Sequence, residues 1–247
     1  MVILDRLIYN LQMGLKKKTL GIIGGIAPES TIEYYRLIVD SYRERNPDGS
    51  YPLLLINSID MKQMLDMIAA KDLERVVDYL VGEVKKLAVA GADFGFLASN
   101  TPHIVFDKIQ ERSPIPLVSI VEAACEAAKE QKIQKLGLFG TRFTMQGKFY
   151  SNIFSREGMV IVLPEPDEQE YIHEKYMGEL VKGIFLPETR ERLLEITDRL
   201  KKNAGIEALI LGGTELPLIL REQYARGIPF LDTTRIHVSR VMEQYFS

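Results

Sequence analysis

Two short stretches carry the side chains with the most chemistry in this sequence. "FLASNTPH" (96–103) and "LILGGTEL" (209–216) are each an apolar run that breaks into small polar residues. Ligands of parallel sheets bind outside the carboxyl ends of the strands, and both breaks fall at such ends. Thr101 reads as an N-cap with Pro102 as the first helical residue, and Thr214 reads as the matching cap. "GTRFT" (140–144) adds Thr141, Arg142 and Thr144, and "GGIAPEST" (24–31) is a fourth turn of this type. Free backbone N–H groups at a helix start, flanked by hydroxyls, make a seat for a carboxylate. One such turn is equally an ordinary helix cap; four with related placement predict a small anionic ligand. The side chains available to move a proton are Ser99, His103, Glu215 and His237. Each of the two histidines follows a polar strand end, and each also fits a structural role in the core. His173, in "DEQEYIHEKY", reads as part of a solvated helix.

Other chemistries find little support. "GIIGG" lacks the spacing of a dinucleotide fingerprint, and no Gly-Lys-Ser/Thr follows it. The three histidines are scattered, without paired metal-ligand spacing, so no metal is expected. Net charge is −3 and the one basic block is Lys16-Lys17-Lys18, which argues against nucleic acid as a partner. No apolar run approaches the roughly 18–20 residues of a membrane span. A single cysteine, Cys125, forms no intrachain disulfide and fits a reducing, cytoplasmic compartment. It sits on an Ala-rich helix and reads as core packing.

The elements that must position these residues alternate between strand and helix. Strands are expected over 19–25, 51–58, 93–99, 115–120, 135–141, 159–164 and 206–213. Helices are expected over 28–45, 72–90, 102–112 and 188–203. In 28–45, Ser30 and Glu33 read as a capping box, and Ile32, Tyr35, Val39 and Tyr42 line one face. The alternation predicts an α/β fold with mostly parallel sheets. The chain also repeats its plan, since "KLGLFGT" echoes "TLGIIGG". From Gly21 to Ser99 is 78 residues, and from Gly137 to Gly213 is 76. Two similar lobes follow, presenting their breaks across one cleft. The first is expected to hold 1–117 plus 227–247 and the second 118–226, with 1–18 as an amphipathic extension.

The motifs "GIIGGIAPEST", "NTPH", "GTRFTM", "LVKG", "GGTELPL" and "DTTRIH" run in order over about 19–240. By them the chain resembles the aspartate/glutamate racemase superfamily, on its aspartate-racemase branch. The resemblance implies two pseudo-symmetric α/β lobes, each a mostly parallel sheet flanked by helices. It implies a cofactor-independent amino-acid racemase (an isomerase without pyridoxal phosphate) acting on a small amino acid, and a homodimer. It assigns Asn100, Thr101, Thr141, Thr144 and Thr214 to substrate binding, and Lys182 to the substrate's distal carboxylate. An arginine that the family carries after the second strand has no clear counterpart, since Lys62 and Gln63 stand there. In that family each lobe supplies one cysteine, and the two thiols work on opposite faces of the α-carbon. Those positions hold Ser99 (or Ala98) and Gly213 here. A thiol ionises near pH 8.5, whereas a serine hydroxyl needs a strong base beside it, and glycine offers nothing. Three readings therefore stand: an isomerase with substitute acids and bases, decarboxylase- or lyase-type chemistry on a small carboxylate, and a non-catalytic amino-acid binder.

Overall fold

A computed structural model describes residues 17–247. The amphipathic extension falls almost wholly on residues 1–16, outside the described residues. The first sheet is built from β1 (Thr19–Gly24), β2 (Leu53–Ser58), β3 (Phe94–Leu97) and β4 (Leu117–Val118), all parallel, in the order β2-β1-β3-β4. The second contains β5 (Lys135–Gly140), β6 (Val160–Val162), β7 (Ala208–Gly212), β8 (Tyr224–Ala225) and β9 (Ile228–Asp232). Its order is β6-β5-β7-β9-β8, parallel except for the edge pair β8–β9. Strands β2-β1-β3-β4 and β6-β5-β7-β9 thus follow one topology, and the two-lobed α/β plan read from the repeat is the plan of the fold.

The repeated Leu-Gly pair has a packing cause. A Cβ on Gly21 would stand 3.0 Å from Ala92 Cβ, and one on Gly137 would stand 2.9 Å from Ile206 Cδ1. In each lobe the segment entering the next strand packs where that side chain would be. The central strands are buried on both faces, as their unbroken apolar runs require.

Helix α1 (Pro28–Arg45) starts at Ala27 without a side-chain cap, so the expected capping box is absent. Ser30 lies inside the helix and donates to Ala27 O (2.8 Å), while Glu33 is taken by Arg36. The buried face is Tyr34, Leu37, Ile38, Val39 and Tyr42; Ile32 and Tyr35 are 63% and 50% exposed. Two further helices, α2 (Met61–Ala69) and α3 (Leu73–Val89), cover the other face of the first sheet. The expected helix over 102–112 divides into a 3₁₀ turn, Thr101–Val105, and α4 (Phe106–Arg112). Cys125 is buried in α5 (Ile120–Glu130) with Leu136 and Leu138, and burial raises its thiol to about 11, which leaves it an apolar filler.

The C-terminal tail divides between the lobes, against the expectation that 227–247 belongs to the first. Strand β9 pairs with β7 in the second sheet. The final helix (Thr233–Phe246) then returns, and Val238, Val241, Met242 and Tyr245 pack with Leu20, Ile22, Tyr34 and Phe96 of the first lobe. The apolar run 228–231 continues a sheet and the apolar stripe after it covers another, so one contiguous motif serves two cores.

Candidate functional site

The strand tips of the two lobes meet. β3 ends at Leu97, and the chain passes through Ser99 and Asn100 into the Thr101–Val105 turn. β5 ends at Gly140 and leads into α6 (Arg142–Gln146), where Thr141 is a true N-cap accepting from Thr144 N (3.2 Å). Thr101 Oγ1 lies 3.1 Å from Thr141 Oγ1, which lies 3.2 Å from Thr144 Oγ1. A chain of three buried hydroxyls therefore crosses from lobe to lobe. Tyr150, on α7 (Phe149–Arg156), donates to Asn100 Oδ1 (2.6 Å). Asn100 Nδ2 donates to Thr233 Oγ1 (3.3 Å), and Thr233 donates to Leu211 O at the end of β7 (2.7 Å). Of the residues expected to bind substrate, Asn100, Thr101, Thr141 and Thr144 take part in these contacts, while Thr214 bonds to Glu215 and Lys182 lies apart. That lysine sits exposed on the Leu180–Lys182 turn beside the start of α1, with no ion pair among the described residues. Lys62 is exposed and pairs with Asp66 on the surface (2.5 Å).

On the second lobe Gly213 has no side chain, and the space is filled by another residue. A Cβ at 213 would meet the ring of Tyr176, with Oη 2.9 Å away. Tyr176 comes from α8 (Pro166–Gly178), where Glu168, Ile172 and Tyr176 make a buried stripe at four-residue spacing. Its hydroxyl donates to Glu215 Oε2, which Thr214 Oγ1 also approaches (3.1 Å). The other carboxylate oxygen, Glu215 Oε1, is buried and makes no hydrogen bond among the described residues. Desolvation raises the Glu215 carboxyl above its usual range. The Tyr176 and Thr214 hydroxyls and the Ala27 N–H of the first lobe pull it back without cancelling that effect. Burial, with the Glu215 charge next, pushes the Tyr176 phenol well up, so it stays protonated and remains a donor.

Several expectations are corrected. Thr214 and Thr101 cap nothing with their side chains: the N-caps are Glu215 and Asn100, neither with a side-chain cap bond. His103 donates from Nδ1 to Ser99 O (3.0 Å) and accepts from Ile120 N at Nε2 (3.3 Å). His237 accepts from Tyr34 at Nδ1 (2.8 Å) and donates from Nε2 to Val118 O (3.1 Å). Both rings are fixed in one tautomer with no free nitrogen, which removes them as proton carriers. Burial lowers His103 to about 3, with the nearby His237 adding to it, and lowers His237 to about 4. His173 is half-buried rather than solvated, and its Nδ1 accepts from Arg142 N (3.2 Å) at the start of α6. Ser99 is 7% exposed, and its hydroxyl makes no hydrogen bond among the described residues. Of the proton-moving candidates, Glu215 and Ser99 keep usable groups.

Tyr176 was not legible as a candidate site residue because its charged surroundings read as a solvated helix, although Ile172, four residues earlier, marks the buried face. Among the described residues, no three His, Cys, Asp or Glu side chains gather as metal ligands, and no helix is long and apolar enough to cross a membrane.

The sequence model of the Asp/Glu/hydantoin racemase family matches residues 23–241. The chain belongs to that family. An aspartate racemase homologue from Pyrococcus horikoshii OT3 is 32% identical, with a TM-score of 0.78 over 93% of this chain and 100% of that one. An Asp/Glu racemase-like protein from Yersinia pestis is 30% identical, with a TM-score of 0.84 over the same shares. The broad specificity amino-acid racemase RacX of Bacillus subtilis is 23% identical over 92% of this chain and 98% of its own length. Racemases of this family are isomerases. In this member, the position that the resemblance gives to the second thiol is a glycine roofed by a tyrosine.

Proposed function

We propose that this protein holds a small α-amino acid, or a related small carboxylate, between its lobes and moves a proton at the α-carbon from the second-lobe side. Glu215 is the proton-transfer group and Tyr176 its hydrogen-bonding partner. The carrying observation is the Tyr176 phenol in the space beside Gly213, bonded to a buried Glu215 whose second oxygen has no partner among the described residues. A carboxyl raised by desolvation is a better base once ionised than an exposed one. The hydroxyls of Thr101, Thr141 and Thr144 supply donors for the ligand's carboxylate and for charge that builds up as the proton leaves. Ligand entry parts the Thr101–Thr141 contact, and Lys182, exposed on its turn beside α1, is the cation for an acidic side chain. Ser99 follows the matching strand of the first lobe, and its hydroxyl has no hydrogen-bonded base among the described residues. The chemistry uses no pyridoxal cofactor. A homodimer belongs to the same reading, with the exposed Ile32, Tyr35, Leu53 and Ile56 of the first lobe as the apolar surface available to it; light scattering checks it.

The test is proton NMR in D₂O over a panel of D- and L-amino acids, acidic ones first. The expected result is loss of an α-proton signal; no exchange with any member rejects the proposal. The filled space beside Gly213 also favours a second reading, a binder without turnover. Calorimetry separates the two: saturable heat from an acidic amino acid that undergoes no exchange selects the binder.

A further inference from the structure

A cavity of about 330 Å³ lies between the first half of α1 and the chain that follows β7 and β9. Glu33 and Arg36 line it from the first lobe, and Arg221, Asp232, Thr234 and Arg235 from the second; Thr214 is the residue it shares with the strand-tip site. The acids in this cavity are already engaged. Glu33 takes two bonds from Arg36, at 2.9 and 2.5 Å. Asp232 Oδ1 accepts from Thr234 N (3.0 Å) and Arg235 N (3.1 Å), and its Oδ2 lies 3.4 Å from Arg235 Nε.

The unspent groups include two donors. Arg221 uses Nε on Leu218 O (2.9 Å), and its guanidinium meets no carboxylate among the described residues. Thr234 is 1% exposed, and its Oγ1 has no partner among the described residues. A buried hydroxyl left unpaired is costly and uncommon in a native fold. A planar guanidinium fork is shaped for an oxyanion. Arg221 and Thr234 both line the cavity, which has room for a small oxyanion. We propose that this inter-lobe cavity is a binding site for a small oxyanion, a carboxylate or a phosphate, held by Arg221 and Thr234. α1 walls the cavity on its other side. The site stands apart from the proton-transfer reading and does not require it.

The test is calorimetry of the full chain with inorganic phosphate and, separately, malonate, at ionic strength held constant with chloride. Wild type is compared with Arg221→Ala and Thr234→Val. At least one anion is expected to bind saturably at one site per chain, and the arm that binds assigns the ligand as phosphate or carboxylate. Each variant is expected to weaken it roughly tenfold or more, since charge-assisted bonds are the strong ones. Without ligand, Thr234→Val is expected to melt at or above the wild-type temperature, because the hydroxyl it removes has no partner among the described residues. Absence of binding by both anions overturns the proposal. So does binding that both variants leave unchanged, which would place the anion at the strand tips instead.

Discussion

The tip of β3 and the tip of β7 are built on one backbone plan and filled in opposite ways. At the first, Ser99 keeps a small side chain whose hydroxyl has no partner among the described residues, and the nearest histidine spends both nitrogens on the backbone. At the second, Gly213 gives up its side chain, and Tyr176 from a neighbouring helix takes the space and bonds to Glu215. A shared frame therefore does not carry shared chemistry. The pseudo-symmetry brings the tips of the two lobes together, and in the proposed reading the side chains around them decide which tip handles a proton. The proposed site is accordingly one-sided, with its acid/base capacity on the second lobe.

The largest effect that breaks or upholds this contrast is on exchange rate. Glu215→Gln is expected to slow α-proton exchange by roughly 10²–10⁴-fold, the usual contribution of a positioned acid or base. Ser99→Ala is expected to cost less than about tenfold, since no base activates that hydroxyl. NMR rates of the two variants side by side check this, and equal losses would mean a two-sided site.

Next is acid stability, which reads the first-lobe histidines as structural. His103 and His237 are held at about 3 and about 4, below the usual histidine value near 6.5. The unfolded chain then takes up protons first, so their stabilising contribution is complete above about pH 6.5 and is lost as pH falls toward 4. Each unit of displacement corresponds to about 1.4 kcal/mol. Glu215, raised by burial, acts with the opposite sign, its contribution being lost as pH rises from the usual carboxylate value through its own raised one. The histidines set the sign between about 6.5 and 4, and a melting temperature that stays flat across that window contradicts their assignment as buried neutral groups.

The packing at 213 comes third. Gly213→Ala drives a Cβ into the Tyr176 ring and is expected to destabilise by about 1–3 kcal/mol, the usual range for overpacking. Combined with Tyr176→Leu it should cost less than the two single changes added, which chemical denaturation of the four proteins measures. The smallest effect is at the contact between lobes: Thr101→Val removes one hydroxyl-to-hydroxyl bond and is expected to cost about 1 kcal/mol in the same assay.

The fold was largely legible. The spacing from Gly21 to Ser99 and from Gly137 to Gly213 announced two like lobes, because each lobe needs the same glycine under the same crossover. Local rules failed where a neighbour in space overrode them. Ser30 and Glu33 have capping-box spacing, yet α1 begins three residues earlier, at a turn held by Gly25 N to Thr31 Oγ1 (2.8 Å). The tail meets the same limit: 228–231 reads as strand and 233–246 as helix, and neither run says which sheet it will meet. Thr101, Thr141 and Thr144 were readable from hydroxyls at strand ends. Tyr176 was not, because what matters there is the missing side chain of Gly213, far along the chain.

The central claim is that one carboxyl serves one face of the α-carbon. It is tested most directly by following deuterium incorporation and enantiomeric composition together, in D₂O, from a single enantiomer of the best ligand. A lone base that returns the deuteron to the face it came from gives α-deuteration with retention, faster than any loss of optical purity. Deuteration that keeps pace with racemisation from the first turnovers would mean that both lobes move protons, and would contradict the account.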